Sequence, residues 1–230
     1  VLGGKAPHNH GIFAGGVTVN IEAAKWIKLK SILSSIHEFL IKKLIPDVYI
    51  IAEYYPEYFK NGVGYKNLMS YGLFYSYEEE RLFYVAPQVI INGEHHAFIP
   101  EKITENIHSA WYESSKEEQS PTEQTVDENV HKTDAYSWIK APRYEGYPME
   151  VGPLARMCLS GNYNRGISTM DRTIARVLEL KRIIEIMEGL LDRIQLLPVQ
   201  QQRYEFSSEA RGKGLTDTTR GALGHWISVQ

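Results

Sequence analysis

Residues 171–196 read DRTIARVLELKRIIEIMEGLLDRIQL, and this stretch decides the fold class. Ile174, Val177, Leu178, Ile184, Met187, Leu191 and Ile194 recur at spacings of three and four, which places them on one apolar stripe of an α-helix. At about 1.5 Å of rise per residue such a helix is about 39 Å long, the length of a bundle spine. Pro198 is expected to stop it. A second stripe, Trp26, Leu29, Leu33, Ile36, Leu40 and Leu44, predicts another long helix over 21–44, with Asn20 or Thr18 as its cap and Pro46 as its end.

The remaining chain is punctuated differently. In LFYVAPQVIINGEHHAFIP, residues 82–100, β-branched and aromatic residues flank Asn92-Gly93, the strongest short signal for a two-residue hairpin turn. Residues 47–75 read as a short helical turn followed by loops. Residues 113–134 carry almost no apolar side chain and read as a polar surface loop. The Gly- and His-rich start should be a loop with sharp turns at Gly3-Gly4 and Gly15-Gly16. The end, RGKGLTDTTRGALGHWISVQ, reads as a Gly-rich loop around Arg220 that closes in a strand-like ISVQ. The expectation is a single region, 1–230, mainly α with a small antiparallel β portion (α+β).

Charge and cysteine content narrow the function. The 25 Lys and Arg against 28 Asp and Glu leave a net charge of -3, so no global positive field would gather nucleic acid or an anionic membrane. The single cysteine, Cys158, cannot form a disulfide framework or a CxxC metal motif within this chain. No run approaches the roughly 20 apolar residues that cross a bilayer. The first residues have neither a basic nor an apolar signal region and no initiator Met, so the chain reads as starting mid-protein.

Few residues stand out as chemistry. Gly212-Lys213-Gly214 lacks both the GxxxxGK[ST] and the GxGxxG frame, so a nucleotide loop is not supported. No GxSxG elbow is present, and Cys158 reads as a small core residue. His8 and His10, two apart in a glycine-bounded loop, could chelate a divalent ion, but backbone hydrogen bonding is the commoner use. His95 and His96 receive the same plain reading. Arg220 is more informative. A guanidinium between Thr216-Asp217-Thr218-Thr219 and Gly221-Ala222-Leu223-Gly224 would be costly to bury unless it faced an anion or a reactive centre. Asp217 as a simple salt-bridge partner is the alternative.

Four separated blocks resemble the large subunit of nickel-iron hydrogenases of the respiratory uptake type. They are GGKAPHNH (3–10) with GGVT (15–18), YSWIKAPRY (136–144), EVGPLAR (150–156), and GKGLT (212–216) leading to RGALGHW (220–226). The resemblance implies a helical-bundle core, a nickel-iron centre with CO and cyanide ligands, and an iron-sulfur small subunit as partner. It further implies catalysis of reversible heterolytic oxidation of dihydrogen to protons and electrons. It assigns Arg220 to the catalytic position over the metals, with His8, His10, Asp217 and Thr219 lining the cavity around it. The family commonly has Glu-Ala-Pro where this chain has Asp217-Thr218-Thr219, a difference in how the arginine is packed. EVGPLAR reads as a tight turn entering a helix, its ends fixed by charge.

The family holds its metals with two CxxC pairs, and neither lies in this chain, so no metal ligand is assigned here. Soft thiolates bridge such a centre, and the His and carboxylate residues present are no substitute. The chain is therefore expected to be a central piece of the subunit that needs the missing N- and C-terminal parts and is inactive alone. The competing reading is a non-catalytic split or reduced homologue that acts as a scaffold for an iron-sulfur partner. Relatives of this type sit in the periplasm or on the outer face of the membrane through the small subunit, with a cytoplasmic location as the alternative. Nucleic acid is not an expected partner, and membrane contact would be indirect.

Overall fold

The computed structural model describes residues 12–13, 16–17, 19–123, 126–195, 205 and 208–229. Two two-residue strands, β1 (Ile12–Phe13) and β2 (Gly16–Val17), precede helix α1, Ala23–Phe39. The start of α1 differs from expectation: its N-cap is Glu22, whose side chain makes no capping bond, and Thr18 lies outside the described residues. Its end differs as well. Pro46 does not stop the helix, because Leu40–Leu44 widens into a π-helical turn and α2 continues from Ile45 to Tyr54. Proline lacks an N–H and its ring collides with the carbonyl four residues back; a wider turn, closed by Ile45 N–H donating to Leu40 O, removes both conflicts.

A 3-10 turn, Pro56–Phe59, leads to β3 (Leu68–Ser70), β4 (Gln88–Ile91) and β5 (Glu94–Ala97), which form one antiparallel sheet in the order β3-β4-β5. The β4–β5 hairpin turns through Asn92 and Gly93, both at positive φ, as the sequence predicts. Strands β6 (Ile103–Asn106), β7 (Tyr112–Glu113), β8 (Glu118–Gln119), β9 (Asp127–Glu128) and β10 (Ala141–Tyr144) follow. They pair antiparallel as β10-β6-β8 and β7-β9. The polar stretch 113–134 is thus more ordered than a plain loop. It is stitched to the sheet, and Lys132 Nζ donates to the carbonyls of Ile107 and Tyr112 at 2.8 Å each.

Helices α3 (Pro153–Leu159) and α4 (Thr169–Asp192) complete the helical layer. The expected spine at 171–196 is α4, shifted by two to four residues; Pro198 lies outside the described residues. A capping box sets its start: Asp171 N–H donates to Ser168 Oγ, and Ser168 N–H donates to the Asp171 carboxylate at 2.8 Å. Ser168 is sealed from solvent. Ser168→Ala is expected to cost about 1 kcal/mol, read as a lower urea midpoint at unchanged slope.

The tail is the largest departure from expectation. Instead of a Gly-rich loop it forms β11 (Ala210–Asp217) and β12 (Ala222–Val229), an antiparallel hairpin with eight residues in each strand. Two apolar clusters carry the fold. One joins Leu40, Val48 and Ala52 to Leu154, Ile174 and Ile186, so the three helical segments share a core. The other lies under the sheets around Met69, Tyr71, Val89, Ile103 and Tyr144, and Leu215 and Trp226 of the last hairpin pack against it. No helix among the described residues is long and apolar enough to cross a membrane.

Candidate functional site

The site is built where the tip of the last hairpin meets the entry to α3. Asp217 and Ala222 are the final pair of the ladder, so 218–221 form the turn. Thr218 closes it, its N–H and its hydroxyl both donating to Gly221 O at 2.8 and 3.0 Å. The turn lies on Val151-Gly152 backbone to backbone. Gly152 has φ +89, and a Cβ there would come within 2.6 Å of Arg220 O; a Cβ on Gly221, at φ +151, would come within 2.7 Å of Val151 Cγ2. Only glycine combines those backbone angles with that approach.

Charge fixes both ends of the Glu150 to Arg156 segment, as the sequence suggests. Arg172 from α4 grips Glu150 with two bonds of 2.8 and 2.7 Å and also donates to Gly62 O at 2.6 Å. Glu150 is further held through its backbone, its N–H donating to Asn67 O and its carbonyl accepting from Met69 N–H. At the other end Arg156 pairs with Glu179 of α4, Nε to Oε1 at 2.6 Å and Nη2 to Oε2 at 2.8 Å. Tyr84 adds its hydroxyl to Glu179 Oε1 at 2.9 Å.

Asp217 belongs to this buried network. Its carboxylate accepts from the Ser70 hydroxyl and stands 3.9 Å from Arg156 Nη1. The Arg156 and Asp217 side chains are 1% and 0% exposed, so neither charge is solvated. Burial pushes the Asp217 carboxyl above its ordinary range, and the Ser70 hydroxyl and the Arg156 charge offset this only in part. Burial also works against the Arg156 charge, but the Glu179 bonds and the neighbouring carboxylates outweigh it and hold the guanidinium above its usual value. Tyr71, buried beside Asp217, is pushed up to about 12 by that burial and by the carboxylate charge. One atom on each side, Arg156 Nη1 and Asp217 Oδ1, is sealed with no hydrogen-bond partner among the described residues.

The structure separates the residues singled out around the arginine. Asp217 points inward to Arg156 and is not the partner of Arg220, which corrects the simple salt-bridge reading. Arg220 is not a buried residue: it is exposed at the tip with Thr219, and it makes no hydrogen bond or ion pair among the described residues. His8 and His10 lie outside the described residues. Beside the hairpin a cavity of about 360 Å³ is lined by Met69, Tyr71, Met149, Val151, Ala222 and Trp226. Sequence reasoning missed Ser70, Tyr84 and Glu179; the one available signal was a carboxylate set among the apolar residues of α4.

These residues do not fit a nickel centre by themselves. Among the described residues no three His, Cys, Asp or Glu side chains converge as metal ligands. Cys158 is half-buried on α3, and its thiol is pushed up to about 11 by burial and by the Asp171 and Glu150 charges, the opposite of what a ligating thiolate needs.

Comparison with known proteins gives this geometry its family. The family model for nickel-dependent hydrogenases matches residues 1–166 and 159–230. The chain is 27% identical over 255 residues to the periplasmic NiFeSe hydrogenase large subunit of Desulfomicrobium baculatum, covering all of this chain and 50% of that one. It is also 27% identical over 305 residues to the uptake hydrogenase large subunit of Azotobacter chroococcum mcd 1, covering 51% of it. The H2-activated, anaerobically purified NiFeSe hydrogenase of Dm. baculatum superposes on the whole chain with a TM-score of 0.89 at 27% identity, over 52% of its own chain. The reduced Ni-Fe-Se hydrogenase of D. vulgaris Hildenborough does so at 0.87 and 28%, over 53%. The chain thus spans about half the length of the relatives it matches. On the agreement of motif blocks, fold and family match, the chain belongs to the nickel-dependent hydrogenase family.

Proposed function

We propose that this chain forms part of a nickel-iron hydrogenase large subunit whose complete form catalyses the reversible heterolytic oxidation of dihydrogen and passes the electrons to an iron-sulfur small subunit. The observation that carries the reading is Arg220, a cation without a partner among the described residues, displayed on a turn wedged against Val151-Gly152. An unpaired guanidinium carried on a turn whose backbone is held in place can orient or polarise a small substrate. The nickel-iron centre, with its CO and cyanide ligands, belongs to the complete subunit and is held by thiolates that this chain does not supply. Thr219 and Asp217 serve the arginine, one beside it on the turn and one beneath it. His8 and His10 are assigned to the same cavity wall on the motif alone. The periplasmic relative supports a periplasmic or outer-face location reached through the small subunit.

The test is Arg220→Lys in the complete enzyme. Lysine keeps the charge but not the planar, five-donor fork, so turnover is expected to fall about tenfold or more while nickel content is unchanged. Wild-type turnover would remove Arg220 from the reaction. A complex that copurifies with an iron-sulfur subunit but contains no nickel would instead establish the non-catalytic scaffold.

A further inference from the structure

Asp217 is paired in β11 three residues before Arg220, yet its carboxylate turns away from the tip and into the protein. There it meets Ser70 at the end of β3 and faces Arg156 of α3. Ser70 is itself fixed, because its hydroxyl accepts from Gly72 N–H at 3.0 Å while donating to Asp217. The turn above has few ties of its own: the bonds of Thr218 to Gly221 and the close approach to Gly152. A two-stranded hairpin that carries a charged side chain at its tip can pivot about its base unless the last ladder pair is anchored. The last ladder pair is where Asp217 sits.

We infer that Asp217 is the positioning residue for Arg220, anchoring the base of the 218–221 turn to β3 through the Ser70 hydrogen bond. Asp217 touches no substrate and acts only through the arginine. The inference rests on the reading of Arg220 given above, and its test separates the two. In the complete enzyme, Asp217→Ala removes the acceptor, whereas Asp217→Asn keeps an oxygen that can accept from Ser70. Asp217→Ala is expected to lower turnover about tenfold, as displacement of a positioned group does, with nickel content unchanged and with Asp217→Asn within about twofold of wild type. In an Arg220→Lys background Asp217→Ala should cost less than about twofold more, since the group it positions is already gone.

Hydrogen exchange of the peptide containing Thr218 reads the anchor without reference to activity. It should quicken about tenfold in Asp217→Ala and not in Asp217→Asn. Unchanged exchange in Asp217→Ala overturns the anchor, and a full additive loss in the Arg220→Lys background overturns its action through the arginine. If Arg220→Lys alone is silent, the catalytic reading of Arg220 fails and exchange still decides the anchor. Should Asp217→Ala not assemble, Ser70→Ala, which trims only the donating hydroxyl, replaces it: the same two readouts apply, and unchanged exchange or an additive loss overturns the inference in the same way.

Discussion

Arg156→Met is expected to destabilise the subunit by about 3–5 kcal/mol, the cost of leaving buried charge without its partner. The guanidinium is 1% exposed, with Glu179 gripping it at 2.6 and 2.8 Å and Asp217 standing 3.9 Å away. Methionine fills much of the volume, so the loss is electrostatic rather than a cavity. Two carboxylates then remain in a site with no cation, and for Asp217, whose carboxyl burial already raises, folding favours the protonated form. The sign follows from linkage. The folded variant binds more protons than the unfolded chain, so its stability falls as pH rises and the deficit shrinks on going from about pH 8 to about pH 5. Asp217 already leans this way in the wild-type protein, where burial raises its carboxyl. Chemical denaturation at the two pH values checks both parts; a deficit independent of pH would mean that the carboxylates are not the cause. Adding Glu179→Leu to Arg156→Met should recover part of the loss, because it removes one of the two stranded carboxylates while Asp217 stays buried without a cation.

Gly152→Ala is the second large effect. At φ +89 an alanine costs about 1–3 kcal/mol from backbone strain alone. Its Cβ would also stand 2.6 Å from Arg220 O, a backbone atom that cannot swing aside as a side chain would. The turn must lift, so the variant combines lower stability with faster exchange at the Thr218 amide and reduced turnover, although it touches neither Arg220's side chain nor the Asp217 network. Gly161→Ala is the control: it shares a positive φ, yet no atom lies within 4 Å of an added Cβ. It should show a strain penalty without a loss of turnover. Equal turnover losses in both variants would argue that Arg220 does not depend on this contact.

What the sequence reveals, and what it hides, follows from the range of each interaction. Helix α4 is legible because its apolar stripe is local, whereas the Ser168–Asp171 box that sets its start emerges only in the structure. The β4–β5 hairpin is legible because Asn92-Gly93 specifies its own turn. The β11–β12 hairpin is not, since Gly212, Gly214, Gly221 and Gly224 carry the composition of a loop, and its strands are held by Leu215 and Trp226 against a distant core. Arg220 stands out through its motif block, but its exposure does not, because apolar neighbours in sequence are not apolar surroundings in space. Sequence proximity ties Asp217 to the nearest arginine. Its real contacts, Ser70 and Arg156, are set by tertiary packing that no spacing rule encodes.

The π-helical turn at Leu40–Leu44 has a consequence for phase. In an unbroken α-helix each residue advances about 100°, so seven residues return to nearly the same azimuth and eight overshoot by almost a full step. Leu33 and Leu40 are seven apart and both buried, whereas Leu40 and Val48 are eight apart and both buried too. The wide turn absorbs the surplus residue, as an insertion would, and Ala52 then falls in line four residues beyond Val48. Pro46 and the phase correction are therefore coupled. Removing a residue from 40–44 to restore a plain α-helix would place the proline ring against a carbonyl, and lengthening the turn by another would rotate Val48 and Ala52 off the core. The helix tolerates its proline only at the azimuth that keeps both halves facing α4.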